Sequence, residues 1–126
     1  MRTMRVLESL ADLDEAVRRS HAHPIVIFKH STTCGVSAFA WEEVEDLAAL
    51  EPDVEVFVVS VQFGSIVSNE IAKRFGLRHE SPQVLLVREG VLVWHASHFR
   101  VTREQIASAL VPASSQRDAD TVSRRR

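Results

Sequence analysis

Cys34 is the residue with the most readily named chemistry, and it is the chain's one cysteine. It lies in the run Lys29-His30-Ser31-Thr32-Thr33-Cys34-Gly35-Val36-Ser37, between a strand-like and a helix-like stretch. A thiol at a helix start meets unpaired N–H groups and the positive end of the macrodipole, which favour an anion. We therefore expect its pKa to lie below the ordinary value of about 8.5. Without a second cysteine, Cys34 can exchange disulfides only with a sulfur from another molecule.

Hydroxyl groups close to Cys34 are candidates for assisting it. Ser37 lies one helical turn further on and can donate a hydrogen bond that stabilises a thiolate. A serine on the plain surface of the helix is an equally valid interpretation. Thr33 and Ser31 can cap the helix instead of contacting the sulfur. His30, four residues before the cysteine, is expected at a strand end with its ring directed to solvent; the other interpretation is an electrostatic neighbour of the thiol.

The six histidines raise the question of a metal site. His21 and His23 flank a predicted helix end, and His95 and His98 lie three positions apart after a predicted strand. Zinc takes three or four ligands from cysteine, histidine or carboxylate. One cysteine and no recognised ligand spacing do not supply such a set. We therefore expect no metal and no tightly bound cofactor.

The composition is that of one globular domain. The chain has 126 residues, of which 45% are hydrophobic and 25% charged, as in ordinary globular proteins. A net charge of −2 provides no electrostatic basis for binding nucleic acid or an anionic membrane. No apolar run approaches the roughly 18–20 residues of a membrane span, and the N-terminus lacks the apolar core of a signal peptide. A single cysteine argues against a disulfide-stapled secreted fold, so we expect a cytoplasmic protein.

The elements that must position Cys34 follow from apolar runs separated by turn residues, which predict the order β-α-β-α-β-α-β-β-α. The predicted elements are a strand at 6–10, a helix opened by a capping box of Asp12 and Glu15, a strand at 25–28, a helix opened by Cys34 and ended by Pro52, a strand at 54–61, a helix at 67–75 closed by Gly76, strands at 83–87 and 91–94, and a helix capped by Thr102 and Gln105 and ended by Pro112. The β-branched run at 25–28 is typical of a strand buried on both faces. The connection Arg88-Glu89-Gly90 predicts a β-hairpin.

This order predicts an α/β fold with a central mixed sheet. A helical crossover between the early strands requires parallel pairing, whereas the late hairpin adds antiparallel pairing. Helices are expected on both faces. The helix after Cys34 carries apolar residues at helical spacing, namely Val36, Phe39, Ala40, Val44, Leu47 and Leu50, and Trp94 and Phe99 are expected in the core or against the hairpin. The domain is expected to span 1–112, followed by a disordered polar tail at 113–126.

Three features in this order resemble thioredoxin-fold proteins. A reactive-type cysteine follows the buried strand, Pro82 precedes the hairpin, and Arg88-Glu89-Gly90 forms the hairpin turn before the last helix. In that fold the proline is cis and faces the active-site cysteine. The resemblance therefore implies a cis Ser81–Pro82 peptide bond close to Cys34.

The sequence differs from thioredoxin at two positions that matter for its chemistry. Ser37 stands where thioredoxin has its second cysteine. Phe28, six residues before Cys34, stands where thioredoxin has a buried acid. The resemblance thus excludes a self-contained dithiol reductase.

Four separated motifs resemble the monothiol bacilliredoxins, a family associated with the small thiol bacillithiol. They are His30-Ser31-Thr32-Thr33-Cys34, Val67-Ser68-Asn69-Glu70-Ile71-Ala72, His79-Glu80-Ser81-Pro82-Gln83 and Trp94-His95-Ala96-Ser97-His98. Gly35 replaces the proline that usually follows the cysteine in this family, so the first helical turn is less pre-organised. The resemblance implies that Cys34 is catalytic and that the supporting residues are Thr33, Gly35, Ser37, Ser81 and Pro82.

The activity implied by the resemblance is thiol–disulfide exchange. The Cys34 thiolate would remove bacillithiol from protein mixed disulfides and hold it until an external thiol or a separate reductase resolves the adduct. The implied partners are bacillithiol and bacillithiolated proteins, with neither nucleic acid nor membrane. Two other interpretations stay open. One is a monothiol glutaredoxin-like protein that uses glutathione or an iron–sulfur cluster, and the other is a non-catalytic thioredoxin-like module that binds a partner through the face of Cys34 and Pro82.

Overall fold

The structure is a computed structural model that describes residues 4–33 and 35–111. Within these ranges the elements are β1 (Arg5–Val6), α1 (Leu10–Arg19), β2 (Ile25–His30), α2 (Gly35–Leu50), β3 (Glu55–Ser60), α3 (Ser65–Phe75), β4 (Gln83–Arg88), β5 (Val91–Ser97), a 3-10 turn (His98–Arg100) and α4 (Arg103–Leu110). The predicted order of strands and helices is confirmed. The predicted helix start at Cys34, the domain boundary at Pro112 and the tail at 113–126 lie outside the described residues.

The strands of the described ranges form one mixed sheet in the order β1-β3-β2-β4-β5. The central strand β2 is parallel to β3 and antiparallel to β4. Parallel strands end at the same edge of a sheet, and an antiparallel neighbour begins there. One edge of the sheet therefore carries the residues that follow β2, those that follow β3 and those that precede β4.

Helices cover both faces of the sheet, as predicted. The helices α2 and α4 pack on one face, and α1 and α3 pack on the other. Alternate residues of β2 divide between the two cores, with Val26 and Phe28 toward α2 and α4 and Ile25 and Ile27 toward α1 and α3. This division explains why the strand is a continuous apolar run.

The bounds of the first predicted strand and the residues of the first predicted cap were wrong. β1 covers only Arg5–Val6. The N-cap of α1 is Ser9, whose hydroxyl accepts the backbone N–H of Asp12 at 3.1 Å, and the Asp12 carboxylate accepts the N–H of Glu8 at 2.8 Å. These two bonds satisfy the N–H groups of Asp12 and Glu8 at the start of the helix. The capping pair is therefore Ser9 with Asp12, three residues earlier than predicted.

The hairpin turn is one residue shorter than predicted. It consists of Glu89 and Gly90, both with positive φ, 52° and 76°. Such two-residue turns match the twist of paired strands. The predicted end of α3 and the predicted cap of α4 are confirmed, since Gly76 closes α3 in the left-handed conformation and the Thr102 hydroxyl accepts the N–H of Gln105 at 3.2 Å.

Three large apolar side chains are exposed: two that share the helical spacing of α2, and Phe99, which was expected in the core or against the hairpin. Phe39 and Leu50 on α2 are 47% and 59% exposed, and Phe99 in the 3-10 turn is 73% exposed. The buried face of α2 is narrower than its apolar pattern suggests, and its core residues are Ala40, Val44, Leu47 and Ala48. Trp94 packs against this core, as predicted.

Candidate active site

The end of β2 and the start of α2 determine the backbone on either side of Cys34. β2 ends at His30, a loop formed by residues 31–33 follows, and Gly35 begins α2. Cys34 lies outside the described residues, so the site is built from the segments around it. The predicted proximity of Pro82 to Cys34 stays a prediction for the same reason.

Gln62, which follows β3, holds the 31–33 loop through its side-chain amide. The amide nitrogen donates to Ser31 Oγ at 2.9 Å and to Thr33 Oγ1 at 3.3 Å. The amide oxygen accepts the N–H of Thr32 at 3.2 Å. Gln62 was not among the predicted site residues, because a polar residue after a strand is typical of any loop. Only the parallel pairing of β2 with β3 brings the two loops together.

Ser60 and Gly64 define the turn that presents Gln62. The Ser60 hydroxyl accepts the N–H groups of Gln62 and Phe63, both at 3.2 Å, and donates to Gln62 Oε1 at 3.3 Å. Gly64 donates its N–H to the Ser60 carbonyl at 2.8 Å. A Cβ at Gly64 would lie 2.9 Å from Val59 Cγ2 and 3.0 Å from the Ser60 carbonyl oxygen. The turn therefore has no room for a side chain at this position.

Ser37 holds the same loop from the helix side. It is 1% exposed, and its Oγ accepts the N–H of Ser31 at 3.1 Å. The interpretation of Ser37 as a plain surface serine was therefore wrong. Ser37 is the acceptor in this bond, so the bond does not use the proton of the Ser37 hydroxyl. The hydroxyls of Ser31 and Thr33 lie 3.1 Å apart, and that of Ser31 accepts the Thr33 N–H at 3.3 Å, so both groups fold the loop.

Gly35 has open space where a side chain would lie. Among the described residues, apart from its chain neighbours and the backbone of its own helix, a Cβ built on it meets no atom within 4 Å, and its φ is not positive. Neither packing nor backbone conformation therefore requires glycine at this position. The sequence predicts a less pre-organised first turn because glycine replaces the family proline. No described neighbour excludes a side chain there, so the glycine is not explained by steric crowding.

The Ser81–Pro82 peptide bond is cis, as predicted. Lys29 pairs with Gln83 between β2 and β4, which puts the buried Pro82 beside the end of β2. The Pro82 carbonyl accepts the N–H of His98 at 2.8 Å, and the 3-10 turn that begins there packs against α2. No hydrogen bond between described residues uses the backbone of Ser81, and its buried Oγ is also without a partner there.

His30 packs into the protein, so its predicted orientation toward solvent was wrong. Its half-buried ring stacks on Phe28 with the centroids 5.6 Å apart and meets the edge of Trp41 at 4.7 Å. Strand alternation puts His30 on the same face as Phe28, toward α2. Burial lowers the pKa of His30 below its ordinary value, which favours the uncharged ring.

Lys29, adjacent to His30 on β2, points to the opposite face and is 0% exposed. Its Nζ lies 2.9 Å from Nδ1 of His79, which is 3.5 Å from Ser68 Oγ. Burial lowers the pKa of Lys29 to about 8, and burial together with the charge of Lys29 lowers the pKa of His79. Neither residue was a predicted site residue. One feature of the sequence could have indicated Lys29: it directly continues the apolar run at 25–28, which is typical of a strand buried on both faces.

Neither a metal cluster nor a membrane-crossing helix is found in the part of the chain that the structure describes. No three of its histidine, cysteine, aspartate or glutamate side chains are grouped as metal ligands, and no helix there is long and apolar enough to span a bilayer. Two of the histidines contact carboxylates instead. His23 lies 3.0 Å from Glu55, and His98 lies 3.3 Å from Glu80.

Comparison with known proteins identifies a family and the fold. Residues 5–106 match the family model described as monothiol bacilliredoxin BrxC. A solved structure assigned as an oxidoreductase with a thioredoxin fold is 27% identical with a TM-score of 0.77, over 84% of this chain and 92% of that one. Thioredoxin from Fasciola hepatica is 24% identical with a TM-score of 0.70, over 85% and 96% of the two chains. Mitochondrial thioredoxin 3 from Saccharomyces cerevisiae is 16% identical with a TM-score of 0.70, over 85% and 92%. The predicted thioredoxin-like fold is confirmed.

Proposed function

The chain belongs to the monothiol bacilliredoxin family, and on this basis we propose that it removes bacillithiol from protein mixed disulfides. Family and fold together make it a thiol–disulfide oxidoreductase. The proposal names bacillithiol because residues 5–106 match this family and because the chain has one cysteine.

The proposed reaction consists of two thiol–disulfide exchanges. The Cys34 thiolate attacks the bacillithiol sulfur of the mixed disulfide. A new S–S bond joins Cys34 to bacillithiol, the old bond breaks, and the protein sulfur leaves as a thiolate that takes a proton from water. A second thiol, from bacillithiol or from a separate reductase, then attacks the Cys34 disulfide and removes the adduct. Each step transfers a disulfide, so no further oxidant or reductant is needed.

The loop and the first turn of α2 support this role for Cys34. Thr33, which precedes the sulfur-bearing residue, is held by the Gln62 amide. Gly35, which follows it, leaves its side open to an incoming disulfide. Ser37 lies one turn further on and has a hydroxyl proton to donate to a thiolate. In this proposal the three residues orient and stabilise the sulfur, and Cys34 alone forms the covalent bond.

Ser81 and Pro82 are the proposed contacts for the substrate protein. The backbone N–H and C=O of Ser81 are not used by other described residues, so they are free to pair with an extended segment beside the substrate's disulfide. Pro82 is held in place through the N–H of His98. In this proposal bacillithiol is a cosubstrate rather than a bound cofactor, and the reaction takes place in a reducing compartment, the cytoplasm.

A de-bacillithiolation assay tests the proposal. One test protein is prepared with bacillithiol and, separately, with glutathione on the same cysteine, and each form is incubated with the wild-type chain and with Cys34→Ser. We expect the wild type to release the thiol from the bacillithiolated form and to gain the mass of bacillithiol, and Cys34→Ser to do neither. Faster release from the glutathionylated form would support the glutaredoxin-like alternative. Release from neither form would support a binding module.

A further inference from the structure

His98 binds both neighbours of Ser81, the residue whose backbone is the proposed contact for the substrate protein. Its backbone N–H donates to the Pro82 carbonyl at 2.8 Å. Its ring Nε2 lies 3.3 Å from Oε1 of Glu80. Glu80 directly precedes Ser81, and Pro82 directly follows it. One residue after the end of β5 therefore holds the chain on both sides of the docking residue.

The backbone conformation of His98 draws attention to its side chain. Its φ is 57°, in the left-handed region that glycine enters without steric cost and that other residues enter at a cost in free energy. Glu89 is the other non-glycine residue with positive φ in the described ranges, and there the two-residue hairpin turn requires that conformation. At His98 the chain carries an imidazole where the backbone alone favours glycine, which points to a use for the ring.

The Glu80 carboxylate is a suitable acceptor for this ring. A hydrogen bond from the Ser97 side chain lowers the pKa of the Glu80 carboxyl, desolvation opposes this effect, and the hydrogen bond and charge of His98 and the charge of Arg78 lower the pKa further. Glu80 is therefore ionised at neutral pH. The His98 and Glu80 side chains are 54% and 35% exposed, so their contact adds little to the stability of the fold. Its main effect is on the position of the segment that contains Glu80.

The two ends of this segment are held independently of the histidine ring. Gln83 pairs with Ser97 between β4 and β5. Its side-chain amide donates to the Arg78 carbonyl at 3.1 Å and to Ser97 Oγ at 3.4 Å. These contacts do not involve the ring, so its removal should loosen residues 80–81 and leave the sheet and the fold intact.

We propose that His98 is a positioning residue for substrate docking, which acts through Glu80 and Pro82 on the backbone of Ser81. It holds the N–H and C=O groups of Ser81 in place for pairing with an extended segment of the substrate protein. A backbone that is ordered before binding loses less conformational freedom on association, so it binds more tightly. Small disulfides have no such segment and gain nothing from this order. The inference rests on the proposed function, because docking at Ser81 is part of it.

The test compares a protein substrate with a small substrate that carries the same bacillithiol sulfur. The two substrates are the bacillithiolated test protein and oxidised bacillithiol, and single-turnover rates are measured over a range of concentrations of each. His98→Asn removes the ring and keeps a residue that tolerates the left-handed conformation. Glu80→Ala removes the same contact from the other side. His95→Asn is the matched control, because His95 is an exposed histidine of β5.

We expect His98→Asn and Glu80→Ala each to raise the half-saturating concentration of the protein substrate by roughly twofold to fivefold, with the maximal rate unchanged. The double variant should show no larger effect than either single variant, because both changes remove one contact. The rates of all variants with oxidised bacillithiol should equal the wild-type rates, as should both sets of rates for His95→Asn.

An unchanged half-saturating concentration in folded His98→Asn, or in Glu80→Ala where His98→Asn does not fold, would overturn the inference. An equal loss with oxidised bacillithiol, an equal effect of His95→Asn, or additive effects in the double variant would also overturn it. If the wild type releases glutathione and not bacillithiol, the proposed function fails, and the same comparison with the glutathionylated protein and oxidised glutathione tests the role of His98. Release from neither protein form would overturn both proposals.

Discussion

Gln62 binds Ser31 across 31 positions of sequence, with its amide nitrogen 2.9 Å from the serine hydroxyl. The bond joins the segment after β3 to the loop after β2, at the edge where these parallel strands end. The same amide also binds the next two residues of the loop. From the other side, Ser37 accepts the N–H of Ser31. The loop that leads to Cys34 is therefore held from two sides without a substrate.

Gln62→Ala should slow the reaction of Cys34 while leaving the protein folded. The loss of hydrogen bonds to an exposed loop costs on the order of 1 kcal/mol of unfolding free energy. A less restricted loop should lower the alkylation rate by roughly threefold to tenfold. Urea unfolding and stopped-flow alkylation measure the two effects. Gln105→Ala, which alters an exposed glutamine on α4, is the control. Alkylation of Gln62→Ala at the wild-type rate would contradict the role of Gln62.

Ser37→Cys should turn the monothiol site into one that resolves its own adduct. The new thiol stands three residues after Cys34, at the Cys-x-x-Cys spacing, and can displace bacillithiol by internal exchange. After reaction with a bacillithiolated protein, we expect intact mass spectrometry to find an internal disulfide and no added bacillithiol. Ser37→Ala is the control and should keep the adduct. A persistent bacillithiol adduct on Ser37→Cys would contradict the idea that this serine replaces a resolving cysteine.

Two glycine-to-alanine changes should have opposite effects on stability. At Gly35 the added methyl group meets open space in the first turn of α2, so Gly35→Ala should stabilise the fold by about 0.4–1 kcal/mol. At Gly64 it would lie 2.9 Å from Val59 Cγ2, so Gly64→Ala should destabilise the fold by about 1–3 kcal/mol. Thermal unfolding of both variants measures the difference. Destabilisation by Gly35→Ala would show that the glycine has a structural role.

The pH dependence of stability should reveal the buried charge of Lys29. Its pKa is about 8 in the folded protein and has an ordinary value of 10.5. Between these values the unfolded chain binds the additional proton, so the free energy of unfolding rises with pH. Lys29→Met lacks this contribution. Urea unfolding of both proteins at about pH 7, 8.5 and 10 measures it, and identical pH profiles would contradict a buried ammonium.

The fold was predictable because its main signals are local. The apolar run at 25–28 predicted the central strand, and the glycine at position 76 predicted the end of α3. The N-terminal cap was misplaced because Asp12 belongs to two overlapping capping patterns, one with Ser9 and one with Glu15, and local spacing does not choose between them.

The candidate site was only partly predictable. Ser37 and Pro82 were selected from a cysteine motif and a family resemblance. Gln62 and His79 were not, because their partners Ser31 and Lys29 lie 31 and 50 positions away. Such contacts follow from sheet register, which depends on the whole fold.

The most direct test of the central claim is the intact mass of the chain after exposure, side by side, to oxidised bacillithiol and oxidised glutathione. We predict that the wild type gains one bacillithiol on Cys34, and gains it faster than glutathione. Cys34→Ser should gain neither. A faster or exclusive glutathione adduct, or no adduct on a thiol that iodoacetamide still alkylates, would contradict the account.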